Sequence, residues 1–394
     1  MKIRAVTLGL DLPVPEVVPR PFADGGRFLA EARRVFDDGG IEVQTLRLAG
    51  GNLDPDQPNI GHWAARAESA ARESGIEYLS LGRLPSTAHQ FVAEQMAPIL
   101  AAGHIAFFSA DLIDSRVPSV AMARACATAV KQLAAQTELG FGNLRFAATA
   151  HCPPNIPFLP AAYHMGGAPR FSIAVEAADV VVNAFAPDGG MSAIEDRLVG
   201  ALEAACAPVE RIADRLAAHS GYGFVGIDLS PAPFPSDDRS IGAAIEHAGV
   251  DWFGAPGTLY VSAMITRAIR RTRVRRCGFS GLMLPVLEDS TLARRAAERS
   301  PSLHELLLYS AVCGTGLDTI PLPGDISEAE LAGVYLDVAA MSVALDAKPL
   351  TVRLMPVPDA LANEATAYDF DYFANSRVLR KADGGATRIL ERGQ

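Results

Sequence analysis

The chain has 394 residues, of which 49% are hydrophobic, a mean hydropathy of +0.16 and a formal charge of −10. Such a chain can bury a large core, and its acidic balance disfavours nucleic acid as a partner. Its five cysteines are odd in number and form no CxxC pair, which argues against a disulfide framework and a structural zinc site.

The N-terminus reads as a strand at once, Ile3–Gly9. It is too short and polar for a signal peptide, and no apolar run reaches membrane-spanning length, so a cytoplasmic location without membrane contact is expected. After the Pro-rich loop Leu12–Pro21, the pattern predicts helix Gly26–Asp37, strand Ile41–Leu48, helix Asn59–Glu73, strand Ile76–Gly82 and helix Thr87–Ala101. Strand Ile105–Ser109, helix Ser119–Glu138 and strand Leu144–Thr149 follow. A second Pro-rich loop, Cys152–Pro160, precedes a Val-rich run, Asp179–Phe185, that reads as a strand. Helix Ser192–His219 should be kinked or split by Pro208. Next come strand Phe224–Leu229, loop Pro231–Pro235, and helices Ser240–His247 and Gly257–Arg271. Strand Gly281–Val286, helix Ser302–Cys313, strand Leu317–Leu322, helix Ser327–Leu345 and strand Leu350–Met355 complete the series.

Ser327-Glu-Ala-Glu330 has the capping-box pattern, and Asn59 and Ser119 are further cap candidates. The arginines from Arg267 to Arg276 read as a solvated helix end and turn. The tail 360–394 is polar, with an extended edge segment expected near Tyr372–Leu379 and fraying over its last ten residues. About ten strands alternating with helices imply one α/β domain over 1–394, built on a mostly parallel sheet with helices outside. The Ala-rich helices Ser119–Glu138 and Ser327–Leu345 either carry a homo-oligomer face or pack on the sheet.

Polar groups stand out at the ends of apolar runs. Asp228 ends a strand in Gly226-Ile-Asp-Leu-Ser-Pro-Ala-Pro233. It reads equally as a turn-organising carboxylate and as a site acid or metal ligand. Glu288 and Asp289 follow a buried run. Neighbours in a strand face opposite sides, so Glu288 is the pocket candidate and Asp289 the helix cap. Cys313 opens the turn Gly314-Thr-Gly316; a free cysteine is usually a small buried hydrophobe, but the turn offers access and backbone donors. Asp318 begins the next strand and is the stronger acid/base or metal candidate. His164, before a Gly pair, is either a satisfied loop histidine or a proton shuttle; a metal set of His151, Cys152 and His164 matches no known ligand spacing. Arg353 lies inside an apolar strand and requires a carboxylate, either Asp318, Asp228 or a substrate. The turn Gly257-Thr258 and the pair Ser280-Gly281 are candidate anion-binding backbone. G-x-G-x-x-G after a strand, the phosphate loop G-x-x-x-x-G-K-[ST] and the G-x-S-x-G elbow are all absent.

Taken together, these segments resemble a family. The opening I-R-x-V-T-x-G, A-x-H-x-G at His164, A-D-V-V-V-N at 178–183, G-I-D-L-S-P-A-P at 226–233 and the Pro256-Gly-Thr258 turn carry the likeness. G-F-S-G-L-M-L-P-V-x-E-D at 278–289, C-G-T-G-L-D at 313–318 and R-L-M-P at Arg353 extend it over nearly the whole chain. The chain resembles the bacterial proteins of domain-of-unknown-function 711. The resemblance implies a fold like the pyruvate formate-lyase barrel, a closed ten-stranded α/β barrel that admits a loop into its interior. It also implies a small ACT-domain protein as a partner, and brings no established reaction or catalytic residue. The chain departs from the family pattern at His151-Cys152-Pro153-Pro154 and in a shorter N-terminal half. Glycyl radical enzymes of the related fold carry R-V-x-G-[FY] near the C-terminus; the tail here has Gly384 and Gly385 without that motif.

The expected function is therefore non-radical enzymology on a small carboxylate or amino-acid-like molecule inside the barrel. Asp228, Glu288 and Asp318 would supply acid/base chemistry or ligate a divalent metal, Arg353 or Gly257-Thr258 would hold the anion, and His164 would move a proton. Thiol chemistry at Cys313 is a third reading. A non-catalytic metabolite sensor acting through a partner protein is the alternative from a different class.

Overall fold

The computed structural model describes residues 1–12, 19–185, 189–299 and 301–392. Its strands are β1 Lys2–Gly9, β2 Val43–Ala49, β3 Tyr78–Leu84, β4 Ala106–Asp111, the short pair β5 Ile113–Asp114 and β6 Val117–Pro118, β7 Phe146–Ala150, β8 Arg170–Glu176, β9 Gly223–Asp228, β10 Gly316–Pro323 and β11 Leu350–Val357. Nine of them form one sheet in the order β10-β11-β7-β4-β3-β2-β1-β8-β9. The β1, β2, β3, β4 and β7 ladders are parallel, as are β8–β9 and β10–β11; β1–β8 and β11–β7 are antiparallel. Helices surround the sheet, so its strands are buried along almost their whole length, as their near-continuous apolar runs require.

The expected closed ten-stranded barrel is not what forms. Gly281–Val286 is no strand. Positive φ at Gly278 and Ser280, 61° and 40°, together with Pro285, prevents a continuous ladder. The segment instead touches both sheet edges at single parallel bridges, Arg276 to Ile227 of β9 and Pro285 to Asp318 of β10. Gly281 and Gly314 pack backbone to backbone there: a Cβ on Gly281 would lie 2.6 Å from Gly314 Cα. The two Gly-rich turns therefore meet in space, and only glycine permits it.

Asp179–Phe185 is also corrected, from strand to helix Ala178–Phe185, with Val181, Val182, Ala184 and Phe185 buried. The strand of this region is β8, just upstream. An apolar run alone does not separate a buried strand from a buried helix. Here Asp179 settles the matter locally: its carboxylate accepts from Val180 N at 2.8 Å and pairs with the N-terminal amine at 2.6 Å.

Helix Met191–Ser220 runs through Pro208 as one element and ends at Gly221, φ 75°. The arginine cluster forms a seam against this helix rather than a free basic surface. Arg267 and Arg271 pair with Glu195, Arg271 also with Asp196, Arg273 with Glu203 and Arg275 with Asp214. Ser119 accepts from Met122 N as a cap, Ser327 and Ser302 both form capping boxes, and Asn59 makes no cap bond. Helices Val120–Gln136 and Glu328–Ala344 pack on each other. Among the described residues no helix is long and apolar enough to cross a membrane.

Two irregular segments complete the packing. The Pro-rich loop after β7 is buried against the sheet, where Cys152, Ile156, Phe158 and Ala161 pack with Ala5, Ala174, Ala232 and Met283. Inward hydroxyls of the strands hold it: Thr7 donates to the Pro157 carbonyl and Ser80 to the Ala162 carbonyl, each at 2.7 Å. The tail is likewise packed rather than loose. Tyr368, Phe373 and Val378 cluster with Leu144, Leu287 and Met355, and a single bridge, Ala365 to Arg377, stands where an edge segment was expected. Thr387–Arg392, expected to fray, is a short helix with Leu390 buried.

Candidate functional site

One face of the sheet breaks the apolar rule. Arg4 of β1, Thr45 and Arg47 of β2, Tyr78 of β3, Phe107 of β4, Asp318 of β10, and Thr351 and Arg353 of β11 all line one cavity of about 220 Å³. The loop residues Phe158–Ala161 close it on one side and Phe370 and Tyr372 of the tail on another. Glu288 enters from the segment that bridges the sheet edges.

The charged groups form an alternating buried chain. Arg353 donates through Nε to Asp318 Oδ1 at 2.6 Å, through Nη2 to Glu288 Oε1 at 2.9 Å and through Nη1 to the Leu144 carbonyl at 3.3 Å. Glu288 Oε2 accepts from Arg4 Nη2 at 3.1 Å. Arg4 Nη1 lies 3.5 Å from Glu176, too poorly aligned for a hydrogen bond. Glu176 in turn accepts from Arg239 at 3.0 Å and from Gln44. Tyr372 lies over the Arg4 guanidinium at 4.6 Å.

Two arginines have no such partner. Arg47 is 8% exposed, donates through Nε to Thr45 Oγ1 at 2.9 Å and stacks over Tyr78 at 5.6 Å; among the described residues it pairs with no carboxylate. Burial and the neighbouring Arg4 push its pKa down to about 10. Burial also lowers that of Arg145, whose Nη1 has no hydrogen-bond partner. Four guanidiniums thus line the cavity against two carboxylates, Glu288 and Asp318. Burial raises the Glu288 pKa, with Asp318 adding to the rise and Arg353 and Arg4 opposing it. The arrangement can bind an anion on Arg47 and Arg4 and can exchange a proton at Glu288.

Of the residues singled out from sequence, Glu288, Asp318 and Arg353 meet in this cavity; the others lie elsewhere. Asp228 is fully buried outside it. It accepts from Ser230 N and Oγ, Phe279 N and Ser280 N at 2.7–3.0 Å, and burial raises its pKa against those four donors. A carboxylate so occupied organises two turns, and it does not line the cavity. Ser280 Oγ accepts from Leu229 N, and Gly281 N donates to Ser230 Oγ, in the same turn network. Thr258 lies at the start of helix Thr258–Arg271, bonded to Ala255 and Gly254, with Gly257 as the preceding residue. Cys313 is fully buried, and its Sγ accepts from Gly316 N at 3.2 Å. His164 lines a separate cavity with Asp11 and Asn52. His151 bonds Ser342, and among the described residues no group of three or more His, Cys, Asp or Glu is placed to hold a metal ion. Asp289 accepts from Ser240, Ile241, Gly242, Thr291 and Leu292, so it caps two helices at once.

Sequence reasoning missed Arg4, Arg47, Arg145, Tyr78 and Tyr372. The signal was present at two of them. Arg4 and Arg47 stand in apolar strands as Arg353 does, and a guanidinium there demands an anion for the same reason.

The sequence profile of the family described as "Uncharacterised ACR (DUF711)" matches residues 1–369, and the chain belongs to that family. It is 30% identical over 390 residues to a UPF0210 protein of Pyrobaculum arsenaticum, covering 91% of this chain and 86% of the relative. It is 28% identical over 410 residues to a UPF0210 protein of Methanopyrus kandleri, with 91% and 86% covered. It is 26% identical over 410 residues to one of Carboxydothermus hydrogenoformans, with 92% and 87% covered. The relatives span archaea as well as bacteria, so the family is wider than the bacterial group the motifs suggested.

Proposed function

We propose that this member of the DUF711 family is an enzyme that carries out proton-transfer chemistry on a small carboxylate-bearing molecule in the central cavity. The observation that carries the reading is Arg47. A buried guanidinium without a carboxylate costs several kcal/mol, and an anionic ligand is the partner that offsets it. Arg47 and Arg4 bind the carboxylate. Glu288, gripped from both sides by Arg4 and Arg353, is fixed in place and its proton affinity is raised by burial, the setting of a general acid/base group. Asp318 neutralises Arg353 and so keeps that arginine from competing for the ligand. The single bridges at Arg276 and Pro285 let the segment between them span the two sheet edges, which supports a barrel-like enclosure around the site, akin to the pyruvate formate-lyase barrel. The proposed chemistry makes no use of a glycyl radical at Gly384 or Gly385, which stand without the R-V-x-G-[FY] motif.

Incubation in D₂O with carboxylates that raise the melting temperature tests this by proton NMR. An enzyme of this kind exchanges a carbon-bound proton or forms product, and Glu288→Gln retains binding while losing exchange. If no α-hydrogen-bearing carboxylate that binds through Arg47 is exchanged or converted by the wild type, the catalytic reading falls and a metabolite sensor stands in its place.

A further inference from the structure

The cavity is not polar throughout. Its guanidiniums and carboxylates come from β1, β2, β10, β11, Arg145 just before β7 and Glu288 just past the bridging segment, whereas Phe107 of β4, Phe141, Phe158, Phe279, Met283 and Phe370 supply apolar wall. These aromatic side chains come from separate segments of the chain. Phe141 and Phe370 pack on each other, ring centroids 5.3 Å apart, and Phe107 packs edge-on to Tyr78 at 5.5 Å. Phe158 and Phe279 belong to one small apolar cluster with Met283. A cavity built only to hold a compact, highly charged acid would line itself with donors, because each apolar wall left against a hydrated ligand gains nothing. Here five phenylalanines and Met283 share the lining with the charged groups.

Resting on the anion reading above, we infer that the ligand is an amphipathic carboxylate, with its head on Arg47 and Arg4 and an aromatic body against Phe158, Phe279 and Phe107. The guanidiniums fix the orientation of the ligand, and the phenylalanines supply the larger part of the discrimination among acids that share one head group. Aromatic side chains are suited to this because a planar body buries a large area at small entropic cost and gains from edge-to-face contact.

Titration calorimetry on the intact protein with acetate, succinate, benzoate and phenylacetate tests the inference. The two aryl acids are expected to bind at least tenfold more tightly than acetate or succinate. Phe158→Leu and Phe279→Leu should shrink that ratio while leaving acetate affinity within about twofold, and Arg47→Met should weaken all four acids. The Leu variants keep an apolar side chain in the cluster, and circular dichroism melts confirm that they fold. Acetate and succinate binding as tightly as the aryl acids, with dependence on Arg47 intact, overturns the amphipathic ligand and leaves the anion site standing. Absence of binding by all four acids, or binding indifferent to Arg47, overturns both.

Discussion

Arg47 carries an unbalanced cost in the molecule's interior, and that cost can be measured. With no carboxylate partner among the described residues and a pKa lowered to about 10 by burial and Arg4, it remains charged at neutral pH in a poor environment. Arg47→Met keeps an unbranched apolar stem and removes the guanidinium and its charge. We expect the ligand-free variant to gain about 1–2 kcal/mol of stability while losing response to carboxylates, the trade seen when function holds a group the fold would rather not bury. A variant clearly less stable than wild type in urea would mean that Arg47 has a structural partner after all. Glu288 offers a second measurement. Its folded pKa is raised above the ordinary glutamate value of about 4.3, chiefly by burial, so the fold prefers the protonated form. The stabilisation from that proton is complete below the ordinary value and is lost as pH rises through the raised one. The melting temperature of wild type minus that of Glu288→Gln should therefore fall as pH climbs through that window. A difference that grows with pH would show that the two arginines outweigh burial.

At the scale of elements, the adjacent acids Glu288 and Asp289 divide their tasks by direction. Glu288 faces the cavity, and Asp289 turns away to join helix Ser290–Arg299 to helix Ile241–His247. Asp289→Ala would strand the backbone donors of Ile241, Gly242, Thr291 and Leu292 and the Ser240 hydroxyl, all now bonded to it. The expected loss is about 3 kcal/mol or more in chemical denaturation, with carboxylate affinity unchanged in the folded fraction. A loss below about 1 kcal/mol would mean that water replaces the carboxylate, against its complete burial. The C-terminal helix is a milder case. Truncation after Ala382 removes buried Leu390 and the close approach of Gly385 to the Ala329 backbone. It should cost about 2 kcal/mol while the cavity, lined no further along than Tyr372, binds as before.

For the whole molecule, the sheet's three parallel groups, met antiparallel at β1–β8 and β11–β7, bring the first strand and the tail to one cavity. Arg4 comes from the first strand, and Tyr372 from the tail lies over it. The glycines of that tail lie far from any such role: Gly384 and Gly385 border a surface cavity with Glu330 and Asp337. Anaerobic treatment with a radical-activating enzyme should give no glycyl doublet by electron paramagnetic resonance, in the full chain or in the chain truncated after Ala382. A doublet in the full chain alone would place a radical on the tail glycines and overturn the non-radical reading.

The sequence by itself determined the alternation of helices and strands, the serine caps at Ser119 and Ser327, and the family. These are properties of local patterning, and local patterning survives in the order of residues. It also singled out Glu288, Asp318 and Arg353, because a charge in an apolar run is costly wherever the run is buried. Only the tertiary structure decided that these three share a cavity while Asp228, Cys313, His164 and Thr258 do not. Whether a buried carboxylate faces a cavity or a ring of backbone donors depends on which distant turns pack around it, as Phe279 and Ser280 do around Asp228. Only the tertiary structure, too, left the run Gly281–Val286 out of the sheet and made the Val-rich run at 180–182 helical. Both runs are apolar enough for either state, and the choice fell to positive-φ residues, a proline and the N-terminal amine brought onto Asp179 from the far end of β1.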